Sequence, residues 1–338
     1  MIRGGSGTFY PNRALLAAAT LLLLLATPLA NVTLAEHPNS TPIAYEIVVV
    51  ETIPHNESAF TQGLVIHEGR MYESTGMYDH SELRELDMET GEVLRSIPLD
   101  SSEFGEGLAV VGDELVQLTW KSGVAHRYSI ETLEAVGNFT FDGEGWGLCA
   151  MGDLLYMSDG SSTLTIRNST DFSVVDEIEV TLDGEPLEQL NELECLADGT
   201  IYANVWYDDS IYLISGSSGL VVGVVDASVL TPEGAESNHV LNGIAIDLNS
   251  SAIYVTGKYW PVMYEVTFHL IEVPDDSNLP PEGGDENTPL FPRWEMLIIG
   301  GLAASLTFLL WGKGFDSLTK SREVHNPPDG TEGSEGEE

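Results

Sequence analysis

Phe104-Gly105-Glu106-Gly107-Leu108 decides how this chain is read, because variants of it recur four more times. The others are Phe60-Thr61-Gln62-Gly63-Leu64, Gly145-Trp146-Gly147-Leu148, Asn191-Glu192-Leu193-Glu194 and Leu241-Asn242-Gly243-Ile244. Anchored on Gly63, Gly107, Gly147, Leu193 and Gly243, the steps are 44, 40, 46 and 50 residues. Each anchor is followed by a second motif: Tyr72–Gly76, Val116–Trp120, Tyr156–Gly160, Tyr202–Trp206 and Tyr254–Lys258. From the residue before the anchor to the end of the second motif is 14 positions in four copies and 16 in the fifth. A repeat of this period is the signature of an array built from one supersecondary unit.

Within each repeat the apolar runs are short, β-branched and separated by Gly-Asp, Asp-Gly or Glu-Gly turns, so each unit reads as four strands. In the second unit these are Gly107–Val111, Glu114–Trp120, His126–Ser129 and Ala135–Phe141. In the third they are Gly147–Met151, Leu154–Ser158, Thr163–Arg167 and Val174–Val180. No helical period interrupts residues 45–270. Four-stranded units at this spacing predict an all-β, five-bladed β-propeller. The last unit lacks a fourth strand of its own, and the unassigned strand Tyr45–Ile53 precedes the first. That strand is expected to complete the fifth blade and close the ring, leaving no open edge at the seam.

The chain has 338 residues and a formal charge of −41, from 54 acidic and 13 basic side chains. An excess of that sign argues against nucleic acid as a partner, since phosphate binding needs a basic face. Cys149 and Cys195 each follow their anchor by two residues and share a register. That register is compatible with a disulfide in an exported protein or with two buried thiols near a crowded axis. No Cys/His spacing for zinc is present.

Residues 1–35 read as a signal peptide, with an uncleaved N-terminal anchor as the alternative: Arg3 and Arg13 precede the apolar run Ala14–Ala26, and small residues follow. Residues 36–44 read as a linker and 45–273 as the propeller. Residues 274–292 are a Pro/acidic linker. Residues 293–312 carry 16 uncharged positions between flanking cations and read as a transmembrane helix. Residues 313–338 are an acidic tail with the composition of a disordered segment. Lys313, Lys320 and Arg322 place that tail inside and the propeller outside, at the cell surface.

Hairpin geometry locates the chemistry. The start of the first strand and the end of the second lie at the same end of a hairpin. Gln62, Glu106, Trp146, Asn191/Glu192 and Asn242 should therefore ring one mouth, with Gly76, Trp120, Gly160, Trp206 and Lys258 as a second tier. Phe60 and Phe104 lie two residues before their ring members. The set holds a carboxylate, a cation, amides and three tryptophans, the makeup of a small-ligand pocket. A glutamate against tryptophans is desolvated, which raises its pKa toward neutrality and suits it to proton transfer. Lys258 and Asn191 are placed to donate to a developing oxyanion.

At these residues the chain resembles the plant-type glutaminyl-peptide cyclotransferases, a five-bladed propeller family. The resemblance runs from about Ile53 to Val266. It rests on Phe60–Leu64, Tyr72–Gly76, Phe104–Leu108, Leu118–Lys121, Gly143–Leu148, Leu190–Glu194, Tyr202–Trp206, Leu241–Ala245 and Val255–Lys258. It implies cyclisation of N-terminal glutamine, in peptides or proteins, to pyroglutamate with loss of ammonia and without cofactor or metal. It implies Glu106 as acid/base, Lys258 and Asn191 at the oxyanion, and Gln62 as a substrate-orienting amide. Phe60, Phe104, Trp120, Trp146 and Trp206 would form the aromatic wall. Two other readings compete. A non-catalytic propeller would bind peptide or sugar. A glycosidase would need a second carboxylate, for which Glu144 and Glu192 are the candidates.

Overall fold

The computed structural model describes residues 41–271. The expected signal or anchor, the linker 274–292, the membrane helix and the acidic tail all lie outside them. Among the described residues no helix is long and apolar enough to cross a membrane. The linker expected at 36–44 overlaps a strand, which already begins at Ile43.

The described chain is all-β and propeller-like. Strand β1 (Ile43–Pro54) stands before the first unit, which is β2 (Thr61–His67), β3 (Arg70–Thr75), β4 (Glu82–Leu86) and β5 (Val93–Pro98). The second unit is β6 (Gly105–Val111), β7 (Glu114–Thr119), β8 (Val124–Ser129) and β9 (Ala135–Thr140). The third is β10 (Leu148–Met151), β11 (Leu154–Met157), β12 (Thr163–Asn168) and β13 (Val174–Glu179), followed by a small ribbon of β14 (Thr181–Leu182) and β15 (Glu185–Pro186). The fourth is β16 (Leu190–Cys195), β17 (Thr200–Val205), β18 (Ser210–Ser215) and β19 (Val221–Asp226). The fifth has β20 (Leu241–Asp247), β21 (Ala252–Gly257) and β22 (Val262–Leu270).

The missing fourth strand of the last unit is β1, which pairs antiparallel with β22 from Tyr45 opposite Leu270 to Pro54 opposite Val262. Its first residues also pair in parallel with β19, so the fourth and fifth units share one eight-stranded sheet. The first strands of the units neighbour one another in cyclic order: β2, β6, β10, β16, β20 and β2 again. Buried side chains follow the same cycle. Val65, Leu83, Leu108 and Leu115 join the first and second units, and Ile53, Leu64, Tyr254 and Met263 join the fifth to the first. Inner strands are buried along most of their length, while the outermost β5, β9 and β13 are largely exposed. Apolar content therefore rises toward the axis, as sheets packed face to face require.

The anchor glycines permit that closeness. A Cβ on Gly147 would lie 1.9 Å from the carbonyl oxygen of Asn191 in the next unit. Only a residue without a side chain lets the two backbones approach so closely.

Cys149 on β10 and Cys195 on β16 form a disulfide with a Cα–Cα separation of 5.4 Å. Of the two possibilities the sequence leaves open, this is the one the structure adopts. The bond ties two neighbouring inner strands across 46 residues of chain. Replacing both cysteines by alanine is expected to lower unfolding free energy by about 2–4 kcal/mol, read as a reduced urea midpoint. An unchanged midpoint would mean that strand packing alone sets the spacing.

A polar lock sits at the seam. The Nδ1–H of His55 donates to the Trp260 carbonyl at 2.9 Å, and its Nε2 lies 2.9 Å from Glu73 Oε1. Thr61 donates to the same oxygen at 2.7 Å, and the Arg84 guanidinium is 3.5 Å from Glu73 Oε2. Both partners of His55 are acceptors, so the doubly protonated ring satisfies both. Burial alone pushes His55 down, but the Glu73 charge and hydrogen bond leave it raised. Burial likewise pushes Glu73 up, but His55, Arg84 and Thr61 hold it lowered. A raised histidine contributes stability at low pH that is lost as pH rises through its folded value. A lowered carboxyl contributes stability that is lost as pH falls through its folded value. The lock therefore contributes between those two values. Glu73→Gln, which removes the charge paired with the buried His55, is expected to cost about 3–5 kcal/mol and to flatten the pH dependence of stability in that window. Urea titrations at several pH values test this; parallel wild-type and variant curves would refute it.

Candidate active site

Four of the five inner strands are broken where their ring residues sit; β10, which starts after Trp146, pairs with β11 without a slip. The pairing register slips between Thr61 and Gly63, between Gly105 and Leu108, between Leu190 and Leu193, and between Leu241 and Ile244. These are β-bulges, which free a residue from the ladder and re-aim its side chain. The freed residues include Gln62, Glu106 and Asn191, all three lining one cavity of about 240 Å³.

Phe60, Met77, Phe104, Trp120, Trp146, Trp206 and Lys258 line the same cavity. All nine residues expected at the site are thus brought together. Gly76 and Gly160 lie behind the Phe104 and Trp146 rings, where a Cβ would strike them. Asn242 does not reach the cavity. It is fully buried, and its Nδ2 donates to the Thr61 carbonyl at 2.9 Å and to Gln62 Oε1 at 3.3 Å. Asn242 therefore holds Gln62 by its side-chain oxygen, and among the described residues the Gln62 Nε2 has no partner.

Glu192 corrects the sequence reading. It is buried away from the cavity, where Oε1 accepts from the Leu64 N–H at 3.3 Å and Oε2 from the Ile244 N–H at 2.9 Å. Glu194 accepts from the Ile246 N–H at 3.0 Å. Both glutamates serve backbone donors of neighbouring inner strands that face the axis and have no sheet partner there. Burial pushes both up, Glu194 to about 8. Glu144 is also committed elsewhere, because its Oε2 accepts from the indoles of Trp120 at 2.7 Å and Trp146 at 3.1 Å. Neither stands across the cavity as the second carboxylate that glycoside hydrolysis requires.

The polar groups in the cavity are unusual in what they lack. Glu106 is 4% exposed, and among the described residues its carboxylate has no hydrogen-bond partner. Lys258 is 3% exposed; among the described residues its ammonium has no hydrogen-bond or ion-pair partner and stands 4.8 Å from the centroid of the Phe60 ring. The Asn191 side chain is buried and likewise without a partner among the described residues, while its backbone carbonyl accepts from Ser158 at 2.7 Å. Buried charges and amides are normally paired, because an unpaired one costs its full desolvation. Three such groups around one hollow are poised for a ligand that supplies the missing partners.

Electrostatics follow from that burial. Desolvation drives Glu106 well above the usual carboxylate range; the Lys258 charge opposes this and the Glu144 charge adds to it. Desolvation lowers Lys258 to about 8, against the pull of Glu106. A carboxyl raised well above its usual range and a cation that stays charged below about 8 are a pair suited to proton transfer next to a developing negative charge.

The aromatic wall runs in two arcs. Phe60 meets Phe104 edge to face at 5.9 Å, and Phe104 meets Trp120 at 5.6 Å. Trp146 meets Trp206 at 5.5 Å. Met77 was not foreseen. It follows the second motif of its unit, adopts φ of 96° and closes the wall beside Phe104. The signal was present in register, since Tyr207 and Tyr259 occupy the same position after their motifs and also have positive φ. A larger open groove of about 450 Å³ lies beside Tyr259, lined by Glu57, Glu233, Glu236 and His239. It holds no convergent set of buried, unpartnered groups. Among the described residues, no group of three or more His, Cys, Asp or Glu side chains is placed to hold a metal ion.

Comparisons with known proteins converge on one family. A model described as glutamine cyclotransferase matches residues 19–268. A glutaminyl-peptide cyclotransferase of Arabidopsis thaliana is 38% identical over 228 residues, 65% of this chain and 71% of the relative. The crystal structure of Myxococcus xanthus glutaminyl cyclase superposes with a TM-score of 0.65 at 39% identity, covering 68% of this chain and all of that one.

Proposed function

The chain belongs to the glutamine cyclotransferase family, and from that premise we propose that its cavity cyclises the N-terminal glutamine of peptides and proteins to pyroglutamate, releasing ammonia. The single observation that carries the proposal for the site is the convergence of unpartnered, buried Glu106, Lys258 and Asn191 on one aromatic-walled cavity. In this reading the glutamine side chain enters between the two aromatic arcs and Gln62 orients it. The α-amine attacks the γ-carboxamide carbon while Glu106 takes a proton from the attacking nitrogen. Lys258 and the Asn191 amide donate to the oxyanion. Glu106 then returns the proton to the carboxamide nitrogen, the carbon–nitrogen bond breaks and ammonia leaves. One C–N bond forms and one breaks, and the proton balances within the site. Both reacting ends belong to one molecule, so the substrate supplies much of the proximity and the protein supplies proton traffic and charge stabilisation.

The same proposal includes the finer architecture, a five-bladed propeller closed by its N-terminal strand, supported by the cyclic order of inner strands and the β1–β22 pairing. For location we propose export and tethering by residues 293–312 with the domain outside. The Cys149–Cys195 bond supports this, since disulfides persist in oxidising compartments. Sedimentation of the full chain with membranes, lost on deleting residues 293–312, is the expected result; a protein that stays in the supernatant would refute tethering.

The test of activity is mass spectrometry of a short Gln-leading peptide incubated with the protein. The expected result is loss of about 17 Da, the ammonia expelled on lactam formation. A peptide that cyclises no faster than in buffer would overturn the reading.

A further inference from the structure

We propose that Glu144 is a positioning residue for this cyclisation, holding the indoles of Trp120 and Trp146 as one wall and setting a fixed negative charge behind Glu106. The inference rests on the functional reading above. Glu144 lies in the turn between β9 and β10, does not line the cavity, and leaves 38% of its side chain exposed. Its Oε2 accepts both indole N–H groups, at 2.7 and 3.1 Å, and its Oε1 lies 3.2 Å from Lys121 Nζ. The same ammonium stands 3.7 Å from the centroid of the Trp120 ring. Three side chains from two neighbouring units thus meet at one carboxylate.

The consequence is topological. The two aromatic arcs, Phe60–Phe104–Trp120 and Trp146–Trp206, come from different units. Among the described residues, each indole N–H has Glu144 as its partner and no other. Glu144 is therefore the joint between the arcs, and without it the two plates are free to splay. The confined width that holds a glutamine side chain is a property of the joint as much as of the plates. Two charged groups act on Glu106, Lys258 from just past the end of β21 and Glu144 from the turn between β9 and β10; the other polar residues lining the cavity, Gln62 and Asn191, are neutral amides. Burial pushes the Glu144 carboxyl up, but its bonds to Trp146, Trp120 and Lys121 hold it below the usual range, so it is charged at neutral pH.

Glu144→Ala and Glu144→Gln test this in the full chain. In Glu144→Ala, KM for a Gln-peptide is expected to rise about ten-fold, the scale of one lost charge-assisted hydrogen bond, with a smaller change in kcat. In Glu144→Gln, KM is expected to lie between, because the amide oxygen still accepts one indole. Both remove the charge that adds to desolvation at Glu106, so both are expected to move the acid limb of kcat/KM to lower pH by the same amount. A residue that only supports the turn would not shift that limb. Variants with wild-type melting temperature, KM and acid limb would overturn the proposal. If the wild-type protein does not cyclise Gln-peptides, the functional reading fails by itself. The clamp is then read by tryptophan emission: a shift in Glu144→Ala retains it, and an unchanged spectrum removes it.

Discussion

Replacing Glu106 with glutamine is expected to lower kcat for Gln-peptides by about 100- to 10,000-fold while leaving substrate affinity nearly unchanged. The side chain keeps its shape and burial, so the aromatic arcs and Gln62 still receive the glutamine. What disappears is the group that takes a proton from the attacking amine and returns it to the departing nitrogen. Among the described residues no other carboxylate lines the cavity to replace it. Glu192 and Glu194 are bonded to backbone N–H groups, and Glu144 to two indoles. The measurements are ammonia release under saturating peptide and calorimetric binding of the same peptide. A variant within about ten-fold of wild type would remove Glu106 from the proton path. A non-catalytic binding domain would show no ammonia release from the wild type either, so the pair of measurements separates the two classes.

Lys258→Met is the second large effect, with kcat expected to fall about 100- to 1,000-fold. Methionine preserves the unbranched chain over Phe60 but donates nothing to an oxyanion. The pH profile carries the sharper signature. Desolvation raises Glu106, and the charge of Lys258 is what opposes it. Losing that charge lets Glu106 rise further, so the acid limb of kcat/KM should move to higher pH. The alkaline limb reports loss of the Lys258 proton near 8 and should vanish in the variant. Deprotonation of the substrate amine, near pH 8 in free peptides, acts in the opposite sense and cannot substitute for it. A variant that keeps its alkaline limb would assign that limb to another group and withdraw Lys258 from the oxyanion. The opposite shifts expected for Lys258→Met and for Glu144→Gln, up and down, make the two charges around Glu106 separately testable.

Much of the site was legible because the repeat is. The chain places Gln62, Glu106 and Asn191 at the starts of their hairpins and Lys258 at the end of its own, and a hairpin brings the start of one strand beside the end of the next. Phe104 and Trp120, or Trp146 and Trp206, needed no tertiary information to be placed at one mouth. Other residues obeyed the same register yet went elsewhere. Asn242 and Glu192 hold ring positions in the repeat, but one anchors Gln62 and the other answers the N–H groups of Leu64 and Ile244. A bulge frees two residues at once, and which of them faces the hollow depends on what the neighbouring strand leaves unsatisfied.

Sequence by itself determined the all-β class, the strand count per unit and every side chain of the cavity except Met77. These follow from local periodicity and from spacing along one chain. Tertiary structure alone decided that Cys149 and Cys195 are joined, that Met77 completes the wall, that His55 and Glu73 lock the seam, and that Glu144 clamps two indoles. Each of those depends on the distance between atoms in different units. That distance is set by how closely the units pack about their axis, which no single repeat encodes.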